Sequence, residues 1–205
     1  MKDHDRKLKN FVYEKIKDIK EPNILEFGVR DGISTKMFIE LCESQSGSLY
    51  SVDKNNYGSV IKSKRWNFIQ SRDDDFDFLK KKLPDNFDII FLDTLHEANH
   101  IEKIFYYYYK SLKIDGLFFI DDISWLPYIK NNYRDRFYCE INNKETFELL
   151  LKIYFANYHN FDLEFSFVSS GFALARKLNN NQLNLPKKIP SRIWGIKNIL
   201  RKIIR

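Results

Sequence analysis

Four short apolar runs carry a carboxylate at or near their carboxyl ends, and this constrains the chain more than any other feature. They are Asn23–Val29 (NILEFGV), Ser48–Asp53 (SLYSVD), Phe87–Asp93 (FDIIFLD) and Gly116–Asp121 (GLFFID). Between them Ile33–Glu43, Phe76–Leu83 and Glu97–Leu112 place apolar residues at helical spacing, and Trp66–Gln70 reads as a further short strand. Strands alternating with helices predict a parallel sheet covered on both faces. Uninterrupted apolar strands fit burial from both sides. Ahead of them, residues 3–20 carry a helical stripe of Leu8, Phe11, Val12, Ile16 and Ile19, which Glu21-Pro22 ends. After Asp122 the rhythm changes. Lys144–Tyr158 is helical, and Glu164–Val168 with Phe172–Lys177 around Ser169-Ser170-Gly171 predicts an antiparallel hairpin.

The 205 residues suffice for one domain with a core that needs no disulfide or structural metal. With 43% hydrophobic and 30% charged residues the composition is that of a globular chain. No apolar run approaches the roughly 20 residues of a membrane span. The opening MKDHDRKLKN lacks the apolar stretch of a secretory signal, so a cytoplasmic location is expected. Cys42 and Cys139 cannot make a disulfide framework and read as ordinary thiols. The net charge of +6 suggests nucleic acid until it is located. Leu178–Arg205 holds seven basic residues and no acid, so the rest of the chain is close to neutral. No strong nucleic-acid signal remains in that body.

In open α/β sheets ligands bind beyond the carboxyl ends of the strands, where chain order reverses. Here those ends carry Glu26 with Gly28, Asp53, Asp93, and Asp121 with Asp122. Such carboxylates are costly to bury without partners. Glu26–Thr35 (EFGVRDGIST) is a glycine-containing strand-to-helix turn, where Gly28 and Gly32 allow close backbone approach and a helix start offers free N–H groups. Asp53 ends the second strand, where a carboxylate can accept both hydroxyls of an adenosine ribose.

The order EFGVRDGIST, SVD, FDIIFLDTLHEANH and LKIDGLFFIDDI, over roughly Pro22–Ile123, resembles the class I S-adenosylmethionine-dependent methyltransferases. Among these it is similar to the metal-dependent small-molecule O-methyltransferases, including those acting on macrolide sugars. The resemblance implies a Rossmann-like open sheet, mostly parallel, of seven strands with an antiparallel final hairpin. It implies S-adenosylmethionine and Mg²⁺ or another divalent cation as cofactors, and a hydroxyl of a small molecule or sugar as acceptor. Position by position, Glu26 and Gly28 would meet the methionine part of the cofactor, with Gly32 and Ser34 in the same binding turn. Asp53 would hold the ribose, and Ser71 and Asp73 the adenine. Asp93, Asp121 and Asp122 would hold the cation, with Asp93 catalytic beside His96 as general base. Asp31 stands where relatives often carry a small residue, and FIQSRDDDF lacks the usual Gly-Asp pair. The chemistry suits these residue types independently. Three carboxylates form a hard oxygen site that prefers Mg²⁺ or Mn²⁺ to zinc. A bound cation acidifies and orients a hydroxyl, and a histidine can take its proton near neutral pH.

Several features compete with that reading. His96-Glu97-Ala98-Asn99-His100 matches the H-E-x-x-H zinc pattern, which would make the chain a hydrolase. That pattern belongs inside a helix and needs a third ligand, whereas here it follows a strand and no downstream motif supplies one. An RNA methyltransferase and a non-catalytic binding module on the same fold are further alternatives. Tyr106–Tyr109 lie on one helix and so face all sides, two toward the sheet and two toward neighbouring helices. Trp125 is placed to wall a pocket or fill the core. The chain divides into a domain over 1–178, a linker over 179–190 and a basic amphipathic helix over 191–205. That helix carries Ile193, Trp194, Ile196, Ile199, Leu200, Ile203 and Ile204 at helical spacing and suits peripheral contact at the inner membrane face or self-association.

Overall fold

The computed structural model describes residues 3–126, 137–193 and 195–204; Trp194 of the expected tail stripe lies outside them. Seven strands form one sheet in the order β3-β2-β1-β4-β5-β7-β6. They are β1 (Asn23–Phe27), β2 (Ser48–Asp53), β3 (Trp66–Gln70), β4 (Phe87–Leu92), β5 (Leu112–Asp121), β6 (Phe161–Ser166) and β7 (Phe172–Lys177). β1 to β5 pair in parallel, and β7 inserts antiparallel between β5 and β6. This is the open, mostly parallel sheet with a closing hairpin that the pattern predicts. Chain order reverses between β1 and β4, and in open α/β sheets the carboxyl edge at such a reversal is where ligands bind.

The apolar strands are buried on both faces because their side chains alternate. Ile90 and Leu92 pack with Ile101, Ile104, Phe105, Leu150 and Ile153 from α5 (Ala98–Tyr108) and α6 (Phe137–Asn157). Ile89 and Phe91 pack on the other face with Phe38 of α3 (Ile33–Gln45) and with the first helical segment. That segment runs through α1 (Asp3–Lys7), a π-helical stretch Leu8–Tyr13 and α2 (Glu14–Ile16). Its Leu8, Phe11, Val12 and Ile16 are buried. Phe11 stacks on Phe172 at 5.9 Å and meets Phe119 edge-on at 6.2 Å, which fixes the segment across β5 and β7. Lys7, four residues before Phe11, therefore arrives at the carboxyl end of β5.

Some element boundaries differ from the pattern. β5 begins at Leu112, because Leu112 pairs with Phe87 before an irregularity carries the chain past exposed Lys113–Asp115. α6 begins at Phe137, where its first turns are exposed and show no apolar face. The four tyrosines divide as expected, with Tyr108 and Tyr109 buried and Tyr106 and Tyr107 partly so. Each hydroxyl reaches a main-chain carbonyl, of Asn184, Phe76, Asp73 and Asn160 in chain order. The expected linker packs on the domain over its first part. Leu183 joins the core, and the Asn184 carbonyl accepts from Tyr106 and from Asn157. α7 (Ile196–Ile203) has no buried residue, and no described helix is long and apolar enough to cross a membrane.

Candidate active site

The turn after β1 is built around a buried carboxylate. Glu26 is fully buried on the α3 side of β1. One oxygen accepts from Ser34 Oγ at 2.6 Å, the other from Thr35 Oγ1 at 2.8 Å and Ser51 Oγ at 2.6 Å. Three hydroxyls thus tie β1, the start of α3 and β2 to one side chain. Burial nevertheless pushes the Glu26 carboxyl up to about 7 against those bonds. The resemblance implies that Glu26 and Ser34 meet the cofactor. Both are buried and occupied with each other, so their work is to hold the turn.

Gly28, also expected to meet the cofactor, has a structural task. Its φ is +93°, and a Cβ there would lie 1.9 Å from the Asp93 carbonyl oxygen. The loops leaving β1 and β4 touch at this point, so the glycine sets the position of Asp93. Gly32 starts α3 in a left-handed conformation, and no side chain caps that helix. A Cβ on Gly32 would meet Val60 at 2.8 Å, which shows that the loop after β2 lies over this turn. Exposed Ile33 at the start of α3 and the partly buried Asp53 are the parts of this region that reach the surface. Asp53 is held by Val29 N–H on one oxygen and Asn55 N–H on the other, each at 2.9 Å. Every carboxylate oxygen has a second lone pair to offer.

The adenine assignments do not form one surface. Ser71 donates to the Arg72 carbonyl. Asp73 is buried, and its Oδ2 takes Thr94 Oγ1 at 2.6 Å and His100 Nε2 at 2.8 Å. It therefore pins the loop after β3 to α5. This also corrects the zinc pattern. His100 belongs to Asp73 within α5, whereas His96 lies ahead of the helix, whose N-cap is Glu97. The two imidazoles have separate partners and cannot share one ion as placed.

His96 sits at the carboxyl edge between two acids. Its Nε2 is 3.5 Å from Asp93 Oδ1 and 3.5 Å from Asp122 Oδ2. All three side chains are between a quarter and a third exposed. Asp122 takes a left-handed conformation with φ +55°, its N–H bonded to Asp121 Oδ1 and the Gly171 carbonyl. Burial, with Asp121 and Asp122 adding repulsion, holds the Asp93 carboxyl well above the usual carboxylate range. For Asp122 burial also acts upward, but His96 and Lys7 outweigh it and its pKa falls below the usual range. Two neighbouring carboxyls are thus driven apart, the pattern by which acid and base roles separate.

The expected divalent-cation set, Asp93, Asp121 and Asp122, does not have room for an ion as placed. Lys7 Nζ forms an ion pair with Asp121 and stands 3.4 Å from Asp122 Oδ1. It also donates to Ser170 Oγ at 2.6 Å and lies 4.6 Å over the Phe172 ring. Burial works against the ammonium, but Asp121 and Asp122 outweigh it and hold its pKa above the usual lysine value. A Mg²⁺ or Mn²⁺ ion bound about 2.1 Å from these oxygens would need the volume the ammonium fills. Among the described residues no group of three or more His, Cys, Asp and Glu is arranged to hold a metal. Lys7, Ser170, Thr35 and Ser51 were not singled out from the sequence. Lys7 did carry a signal: it falls on the apolar stripe of its helix, one turn before Phe11. The two cysteines are free, and burial pushes the Cys42 thiol up to about 12, which suits an inert core residue.

The sheet order, the antiparallel β7 and the acids along the β2, β1, β4 and β5 edge define the class I methyltransferase fold. Residues 25–123 match a family model described as a methyltransferase domain. Among solved structures, the chain is similar to MycE, a methyltransferase from the mycinamycin biosynthetic pathway in complex with Mg, SAH and mycinamycin VI. The identity is 21% over 86% of this chain and 50% of that one, with a TM-score of 0.59. It is also similar to the SAH-bound methyltransferase PaMTH1 of Podospora anserina, at 16% identity over 81% of this chain and 76% of that one, with a TM-score of 0.60. These likenesses establish the fold, and the chain spans half the length of MycE. No curated protein matches the sequence.

Proposed function

We propose that the protein is an S-adenosylmethionine-dependent O-methyltransferase acting on a hydroxyl of a small molecule or sugar. The observation that carries this is His96 held between Asp93 and Asp122, on the edge next to the Gly32 turn and Asp53. The cofactor's sulfonium supplies an activated methyl group, so the protein has to bind, orient and move one proton. Asp53 accepts the ribose hydroxyls, and the α3 amides face the cofactor's carboxylate. With Nε2 protonated toward the two acids, His96 Nδ1 takes the proton of the acceptor hydroxyl. Asp122, the ionised acid, stabilises the imidazolium that forms, and Asp93 keeps the ring in place. MycE was solved in complex with Mg; in this chain the Lys7 ammonium lies among Asp121 and Asp122, so no step is routed through a metal.

Asp53→Ala is expected to weaken S-adenosylhomocysteine binding by about 10–100-fold, as a charge-assisted hydrogen bond to each ribose hydroxyl is lost. Calorimetric titration measures this, with Asp53→Asn losing less because it keeps an acceptor oxygen. Unchanged affinity in Asp53→Ala would place the ribose elsewhere.

The exposed α7 supports a second role for the end of the chain. Ile196, Ile199, Leu200 and Ile203 are exposed beside Lys197, Arg201 and Lys202. A basic helix with a free apolar face suits an anionic membrane surface. Deleting 191–205 is expected to abolish sedimentation with phosphatidylglycerol vesicles and leave cofactor affinity unchanged. Binding that survives the deletion excludes this role, and a shift from dimer to monomer assigns the helix to self-association.

A further inference from the structure

Resting on the methyltransferase reading, we infer that Lys7 is a built-in cation that replaces a divalent metal at the carboxyl edge of the sheet, and that this enzyme works without one. The geometry is specific. Lys7 is 1% exposed and Asp121 2% exposed, so the pair is closed to solvent. A long flexible side chain is buried unpaired only at great cost, and here its ammonium meets Asp121, Asp122 and Ser170, three oxygen partners from two separate loops. Oxygens gathered from the ends of β5 and β7 around one positive centre is the arrangement that a hard cation also requires. The single charge of the ammonium settles a cluster that would otherwise hold three carboxylates.

The supply route is built into the first helical segment. Phe11 and Leu8 seat it on β5 and β7, and Lys7 occupies the last position of α1, where the helix passes into its π-helical stretch. Lys7 is closed to solvent and so acts through others. It is a positioning residue: it fixes Asp121, and with it the turn that aims Asp122 at His96. A lysine serving only to pack the helix would leave no metal site behind when removed. A lysine standing in for an ion would.

The test is Mn²⁺ titration followed by electron paramagnetic resonance, on the full chain and on Lys7→Ala and Lys7→Met. Each protein is also titrated with S-adenosylhomocysteine in EDTA and in Mg²⁺. The wild type is expected to bind no stoichiometric Mn²⁺, and its S-adenosylhomocysteine affinity to be the same in both buffers. Removing the ammonium is expected to create one Mn²⁺ site at least about 100-fold tighter than any on the wild type, lost again in Lys7→Ala/Asp121→Asn. A stoichiometric Mn²⁺ on the wild type that Asp93→Asn removes overturns the inference. So does a folded Lys7 variant that gains no site. Should neither variant fold in EDTA, refolding is repeated in Mn²⁺: metal-dependent refolding supports the inference, and failure to refold overturns it. A wild type that binds no S-adenosylhomocysteine in either buffer instead overturns the methyltransferase reading, and the Mn²⁺ result still decides what Lys7 replaces.

Discussion

His96→Ala is expected to lower the rate of methyl transfer by about 10²–10⁴-fold and to leave S-adenosylhomocysteine affinity within about twofold. A hydroxyl is a weak nucleophile until its proton leaves, and the His96 imidazole is held between Asp93 and Asp122 beside the β4 and β5 ends. Asp122→Asn should cut the rate in the same direction, because the imidazolium then loses its charged partner. Its effect should be smaller, since the ring keeps its place against Asp93. Radiolabelled S-adenosylmethionine with a panel of vicinal-hydroxyl acceptors measures the rate, and calorimetry the affinity. A variant that keeps its rate but loses affinity would move His96 from the acceptor side to the cofactor side. A variant that keeps both would leave proton removal to solvent, and with it the role of both acids would fall.

Strand positions were legible because burial on both faces leaves uninterrupted apolar runs, and a run that stops at an acid marks the solvent edge. β2 and β3 match the pattern residue for residue, and β4 ends one residue early at Leu92. Which acids stay open at that edge was not legible. Asp53, Asp73, Asp93 and Asp121 look alike in sequence, and their fates depend on partners far along the chain. Asp121 is paired with Lys7 across 114 residues, and Asp73 with His100 across 27. No local periodicity carries such information. The hydroxyl partners of Glu26 were hidden for the same reason: the alternation along β1 places Glu26 on the face that α3 covers, where Ser34, Thr35 and Ser51 reach it. The zinc pattern misled by spacing alone. Four residues separate its histidines, but the helix starts after the first of them, so the two rings do not share a face.

Glu26 gives the largest effect on stability. Its folded pKa of about 7 lies above the value of 4.5 taken for an unperturbed glutamate, so the folded state holds its proton longer than the unfolded chain does. The sign follows directly. Below the lower value both states are protonated and the contribution is fully present; as pH rises from there to about 7 the unfolded state ionises first, and the folded state loses about 1.4 kcal/mol per pH unit. The total loss is about 3 kcal/mol, complete once the folded carboxyl has ionised too. Glu26→Gln keeps the size and the acceptor oxygen and removes the titration. The stability of the wild type relative to this variant is therefore expected to fall by about 3 kcal/mol between pH 4 and pH 8, read from urea unfolding at each pH. Asp93 titrates upward in both proteins, though the Glu26 charge contributes to its shift, so the difference reports chiefly Glu26. A difference that stays flat would mean that Ser34, Thr35 and Ser51 just offset burial, and one that rises with pH that the hydroxyls outweigh it and hold Glu26 ionised. Because the same three bonds tie β1, α3 and β2 behind the Gly32 turn, cofactor affinity in the variant should follow the loss of their charge-assisted strength rather than the stability change.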